Sequence, residues 1–300
     1  MTVKSASGRK AELLLILTTL IWGGTFAVIK NGLSQASPLI LMGFRFTLAC
    51  LVFGIIFHRS LGRISRQVLR DGSILGLLMF ISYSLQTLGL EHTTASRSGF
   101  ITYSFALFTP PLQLLILKRK PALKNLIGLI VVFGGLFFIS KPESGSFNKG
   151  DLMTLICAIS LAFYVIYLDL MSKRSNTFML TVIQFFICGG LSFLLAPFVE
   201  KPRLILSGSF IISILYLGIL GSVVGIALMI RFQKELSPTK AVIIYGLEPL
   251  FSVMVAILFL TEQLSPVEWA GCALIFIGVL ISELQSDRIG IFLRKTDKTG

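Results

Sequence analysis

Leu13-Leu-Leu-Ile-Leu-Thr-Thr-Leu-Ile-Trp-Gly-Gly-Thr-Phe-Ala-Val-Ile29 runs without a single charge, just after Lys4, Arg9 and Lys10. The run exceeds the apolar core of a secretory leader, and no small-residue cleavage site follows it. About 20 apolar residues cross a hydrocarbon layer as a helix. The stretch therefore reads as an uncleaved first membrane helix. Nine further apolar segments follow, and the ten limits fall near 11–32, 38–57, 72–90, 98–117, 124–140, 151–171, 177–198, 210–230, 240–260 and 266–284.

Composition agrees. The 300 residues are 54% hydrophobic and 14% charged, against roughly 25% charged in a soluble domain. In lipid the backbone must satisfy its own hydrogen bonds, so a span is a helix or part of a closed barrel. Runs this long, without alternation, select helices. The expected fold class is an all-α integral membrane protein with ten transmembrane helices. Short connections make one bundle and leave no room for a soluble domain.

A net charge of +13 suits nucleic acid or anionic lipid. Here Lys and Arg sit in short loops, and nucleic acid is not an expected partner. With the N-terminus in the cytoplasm, twenty basic residues fall on that side and six on the other, with Arg45 inside a helix. The positive-inside rule then places both termini in the cytoplasm, and the protein in the cytoplasmic (inner) membrane. Cys50, Cys157, Cys188 and Cys272 all lie in apolar segments with no zinc or disulfide spacing. His58 and His92 occupy separate loops. Phosphate-binding loops, nucleotide fingerprints and Gly-x-Ser-x-Gly are absent. No catalytic residue, metal or cofactor is expected.

The chain repeats itself. Gly128 and Gly135 match Gly271 and Gly278 at a separation of 143 residues, as Arg97-Ser98 matches Lys240-Ala241, and Glu12 opens the first helix as Asp151 opens the sixth. Two halves of five spans each must run in opposite senses, an architecture recurrent in secondary transporters. The expected units are 1–141 and 150–285, joined by Lys141-Pro-Glu-Ser-Gly-Ser-Phe-Asn-Lys-Gly150, with 286–300 as a cytoplasmic tail.

Specific motifs add to this. Leu20-Ile-Trp-Gly-Gly-Thr-Phe26, Gly43-Phe-Arg-Phe46, Glu248-Pro249-Leu250, Thr261-Glu262 through Pro266 and Trp269-Ala-Gly271 resemble the ten-helix EamA-like members of the drug/metabolite transporter superfamily. The resemblance covers about residues 11–285. Lys118-Arg-Lys120 departs from it, standing in the first half where the second has Glu262. The resemblance implies transport, often export, of amino acids and other metabolites.

Several residues invite a role. Arg45 lies about seven residues past Pro38, roughly 10 Å along a helix. A cation at that depth must face protein, water or an anion. It either binds substrate, or snorkels or pairs with a carbonyl or Glu91. Glu248, eight residues into the ninth segment and beside Pro249, is a candidate for proton coupling or amine binding, because loss of water penalises a charged carboxylate. Its alternative role is to cap backbone freed by the proline or to pair with a basic residue. Trp22, Tyr83, Tyr103, Tyr164 and Tyr245 sit inside their helices and are candidate cavity walls, the alternatives being interhelical hydrogen bonds or the interfacial aromatic belt. Gly128, Gly135, Gly271 and Gly278 read as close-packing positions. Ser265 and Glu268 read as a capping box around Pro266, with Glu262 fixing the same turn.

The expectation is a secondary carrier that exports an amino acid or related metabolite, with lipid as its solvent, protons as a candidate coupling partner, and monomer or homodimer left open. Uptake of a vitamin or nucleotide-like compound is the alternative. A membrane enzyme or receptor would need clustered acid–base groups or sizeable loops.

Overall fold

The computed structural model describes residues 6–118, 123–139, 147–235 and 244–284. The basic residues Arg119 and Lys120, most of the expected linker, the beginning of the ninth segment with Lys240 and Ala241, and the tail 286–300 lie outside these residues.

Among the described residues the regular structure is helical, apart from an isolated bridge between Ala36 and Leu204. The first half contains α1 (Ala6–Gly32), α2 (Pro38–Ile56), α3 (Arg66–Leu90), α4 (Ala95–Tyr103), α5 (Phe105–Leu117) and α6 (Leu123–Ile139). The second contains α7 (Lys149–Ser172), α8 (Thr177–Val199), α9 (Gly208–Leu215), a π-helical stretch Tyr216–Val224, α10 (Gly225–Phe232), α11 (Glu248–Leu260) and α12 (Pro266–Leu284). α4 with α5 makes one span, and α9 through α10 makes another. Seven helices are long and apolar enough to cross a membrane, and three more apolar helices are shorter. Phe186, Phe198, Leu115 and Phe259 are 70%, 81%, 75% and 77% exposed on the outside of the bundle, a surface that suits lipid rather than water. The chain is an all-helical membrane protein, with ten helices among the described residues.

Boundaries differ from expectation where local chemistry intervenes. α3 begins at Arg66, not near 72, because Ser65 caps it by accepting from the Val68 amide at 3.2 Å. The fourth segment breaks at Ser104, whose hydroxyl donates to the Ile101 carbonyl at 2.6 Å and competes with the helix ladder. The ninth segment is also broken: Gly246 and Leu247 form a turn, and α11 starts at Glu248. Pro249 therefore does not kink a continuous helix. It sits in the first turn, where its missing N–H costs nothing. Ser104 and Leu247 are 143 residues apart, so the two halves break at equivalent points. The same separation relates Lys118 and Thr261, which end α5 and α11 with φ of 54° each.

The packing obeys the same exchange of halves. α6 lies along α12, α2 lies along α8, and α1 packs on α11 as α7 packs on α5. The α6–α12 crossing is closest at the two glycine positions. A Cβ on Gly135 would lie 2.7 Å from the Gly271 carbonyl oxygen, and one on Gly278 would lie 2.7 Å from that of Gly128. Backbones approach here because side chains are missing. Gly134, beside Gly135, faces open space. Gly134→Ala is expected to raise the melting temperature by removing a helix penalty of about 1 kcal/mol. Gly135→Ala is expected to lower it despite the same propensity gain, because overpacking costs about 1–3 kcal/mol. Thermal unfolding in detergent of the two variants checks the pair.

Candidate functional site: a chamber between the halves

Removing the two end helices α6 and α12 from consideration leaves eight spans around a central space, and none of the chamber's walls comes from those two. The cavity has a volume of about 830 Å³. Its middle is walled by Trp22 from α1, Arg45 from α2, Tyr83 from α3, Tyr103 from α4, Tyr164 from α7, and Tyr245 with Glu248 at the head of α11. The five aromatics expected as cavity walls thus line one space together with Arg45 and the coupling candidate Glu248. The glycines, Pro249, Glu262, Ser265 and Glu268 are not among its walls.

Arg45 is 4% exposed. It neither snorkels nor pairs with Glu91. Its Nε donates to Ser222 Oγ at 3.2 Å, and its guanidinium carbon lies 4.9 Å and 5.1 Å from the ring centroids of Phe46 and Tyr83. Cation–π contacts of this kind offset part of the desolvation of a guanidinium. Among the described residues no carboxylate forms an ion pair with it. Trp22 donates Nε1–H to the Gly221 carbonyl at 2.9 Å, and its ring stands 5.9 Å from that of Tyr245. Tyr164 donates to Gln184 at 2.7 Å, and Gln86 donates to Thr102 at 3.3 Å. The chamber is thus mostly apolar and aromatic with a few oriented polar groups, the usual make-up of a solute site.

The two ends of the bundle differ. Towards the end where α1 begins, the wall continues through Asp169, Ser172, Thr177 and Gln233, and Asp169 is 60% exposed at the mouth. No wall residue comes from the far end. There the halves are tied by buried polar contacts. Arg97 at the start of α4 pairs with Asp151 at the start of α7 at 2.7 Å, with side chains 5% and 0% exposed, and Thr93 donates to the same carboxylate. Within the first half, Lys30 donates to the Leu90 and Thr93 carbonyls at 2.6 and 2.7 Å. Glu200 accepts from Ser37 at 2.6 Å and from the Leu39 amide, capping α2.

Glu262 is a correction. It does not fix its own turn. Its carboxylate accepts from the Ala95 and Ser96 amides at 2.8 and 3.1 Å, and so caps α4 of the other half. Ser265 and Glu268 do form the expected capping box: Ser265 Oγ accepts from the Glu268 amide at 3.2 Å, and Glu268 accepts from the Ser265 amide at 2.9 Å. Sequence reasoning missed Ser222 and the Arg97–Asp151 pair. Ser222 carries no signal beyond a hydroxyl in an apolar run. Arg97 and Asp151 had each been read only as charges beside a helix start.

The fold and chamber define a class: polytopic helical membrane proteins that enclose a solute-sized space between two halves. The EamA-like transporter family matches residues 9–141 and 148–284. The chain belongs to that family, within the drug/metabolite transporter superfamily. It is a membrane transporter and not a member of an enzyme family. It is 31% identical over 277 residues to an uncharacterized transporter of Archaeoglobus fulgidus, covering 92% of this chain and 86% of that one. It is 25% identical over 273 residues to the uncharacterized inner membrane transporter YedA of Escherichia coli, covering 88% of each. A solved crystal structure shares the fold with a TM-score of 0.64 at 18% identity, over 93% of this chain and 99% of that one.

The Trp22 wall can be tested without a solute. A Cβ on Gly225 would collide with Trp22 Nε1, whereas Gly190 faces open space. In a background where Trp269, the other of two tryptophans, is replaced by Phe, Gly225→Ala is expected to dislodge the indole and raise its quenching by acrylamide. Gly190→Ala is expected to leave it unchanged.

Proposed function

We propose that this protein is a secondary carrier that exports a small zwitterionic metabolite, an amino acid or a close relative, by alternating access of two inverted five-helix halves. The observation that carries the reading is one chamber whose middle is walled by the buried Arg45 guanidinium, the Glu248 carboxylate, Trp22 and four tyrosines. Arg45 matches a solute carboxylate, since a guanidinium presents a planar fork of donors to two oxygens. Glu248 matches an ammonium group, or a proton in its place.

Support for inversion comes from the odd count of spans per half and from the reciprocal α6–α12 and α2–α8 packing. Support for sidedness comes from the basic loops, which make the end where α1 begins cytoplasmic. In that orientation the chamber faces the cytoplasm, the loading side of an exporter, with the extracytoplasmic end shut by Arg97–Asp151 and its neighbours. Switching would part the far-end contacts as water enters and close the near end. Proton and solute would then compete for Glu248, so that a proton entering from outside releases the amine.

Purified protein in liposomes gives the test. Saturable counterflow of an amino acid from a mixed panel is expected, and an outward-directed proton gradient is expected to drive accumulation inside the liposomes against a solute gradient. Glu248→Gln is expected to keep exchange but lose the proton-driven accumulation. Unchanged pH dependence in that variant would remove Glu248 from coupling. Absence of flux for every panel member would remove the amino-acid reading. A further outcome concerns sidedness: cysteines placed in loops 59–70 and 142–150 are expected to react with a membrane-impermeant maleimide from opposite faces of intact cells and inverted vesicles.

A further inference from the structure

The span that follows α8 carries a nine-residue π-helical stretch, Tyr216–Val224, in the wall beside Arg45. π-helical turns are rare and cluster at functional sites. This one is packed by small residues against two chamber residues of the first half, Trp22 and Arg45. A Cβ on Gly218 would lie 3.2 Å from the Arg45 carbonyl oxygen, one on Gly221 would lie 3.9 Å from Arg45 Nη2, and one on Gly225 would strike Trp22. The Gly221 carbonyl holds the Trp22 indole. Between them stands Ser222, which is 2% exposed and lines the chamber.

Ser222 makes two hydrogen bonds that fix a direction. Its hydroxyl donates to the Leu217 carbonyl at 2.9 Å, five residues back. Having spent its proton there, the oxygen faces Arg45 as an acceptor and takes the Nε–H at 3.2 Å. A guanidinium is planar, so fixing Nε on one side and the faces against Phe46 and Tyr83 fixes where the two terminal nitrogens point. Among the described residues those nitrogens have no carboxylate partner, although the side chain is more than nine-tenths buried and lines the chamber.

We infer that Ser222, set by the π-helical register, is the positioning residue that aims the terminal nitrogens of Arg45 into the chamber as a fork for a solute carboxylate. This rests on the carrier reading above and goes beyond it in assigning the carboxylate half of the site and the residue that orients it. Ser222 itself does not touch the solute. Without its acceptor oxygen the guanidinium swings about its stem, and affinity falls for solutes that carry a carboxylate but not for those that lack one.

The experiment compares wild type with Ser222→Ala, Ser222→Thr and Arg45→Lys in two ways. In liposomes, half-saturation is measured for a panel of free L-amino acids and for their methyl esters, in which the carboxylate is masked. Ser222→Ala is expected to raise half-saturation for free amino acids about ten- to a hundredfold, the loss of one oriented hydrogen bond to a charged group, with maximal flux and ester transport unchanged. Ser222→Thr is expected to restore it, and Arg45→Lys to reproduce the loss without rescue. Equal effects on acids and esters, no effect, or failure of the Thr variant to rescue would overturn the assignment. A second arm needs no transported solute: thermal shifts in detergent with sodium acetate, benzoate and succinate against sodium chloride at matched ionic strength. At least one carboxylate is expected to stabilise the wild type and none the Ser222→Ala variant. Stabilisation with no amino-acid flux would reject the amino-acid reading while upholding the fork. Flux of acids and esters alike with no carboxylate stabilisation would reject the fork and leave the carrier standing.

Discussion

A hydrocarbon layer withholds water from every polar group it surrounds, and this constraint sorts the charges of the protein into two sets. One set is satisfied at once by protein. Arg97 with Asp151, Asp71 with Arg174 at 2.7 Å, Glu262 on the head of α4 and Glu200 on the head of α2 all find donors or opposite charge. The other set is Arg45 and Glu248. Both stand in the wall of the chamber, and neither forms an ion pair with a described residue. Charge left without a charged partner inside a membrane bundle is costly, and it is retained where a solute or a proton completes it. The satisfied set holds the halves together, and in the proposed carrier the incomplete set would give them something to hold.

The placement of the satisfied set explains how one bundle can have two states. Buried ion pairs contribute little net stability, yet removing one partner costs about 3–5 kcal/mol, because the other charge is stranded. Arg97 and Asp151 lie on different halves at the closed end. If the halves parted there, water would enter and rehydrate both charges, so the cost of separation falls as the gap opens. The tie is strong while dry and weak once wet, which suits a gate. The α6–α12 and α2–α8 contacts have no such property. In the proposed alternating access, these glycine-backed and aromatic crossings would serve as the frame against which the remaining helices move.

The fold was legible in the sequence because the constraint acts residue by residue. Uninterrupted apolar runs and basic loops report the solvent directly, and the glycines at 128, 135, 271 and 278 marked a real backbone crossing. The chamber was legible for the same reason: Arg45 and Glu248 are expensive where they stand, and the aromatics near them sit too deep for an interfacial belt. What escaped were pairings across the halves. Asp151 and Arg97 looked like charges near helix starts until folding brought those starts together. Glu262 reads locally as part of a turn, while its partners are amides 167 and 166 residues away. The break at Ser104 depends on one hydroxyl choosing the Ile101 carbonyl, and the π-helical register of Tyr216–Val224 has no compositional mark. Local pattern reports solvent and propensity; it does not report which distant donor satisfies a buried acceptor.

The central claim is that the chamber opens to one side at a time under control of the far-end tie. Ala106 lines it, at mid-bundle beside the break in the fourth span. With the four native cysteines replaced, Ala106→Cys should react with an impermeant maleimide from the cytoplasmic face and be protected from the outer face. Adding Asp151→Asn should move part of that reactivity to the outer face. Reaction from both faces without the second change, or an unaltered pattern with it, would contradict the account.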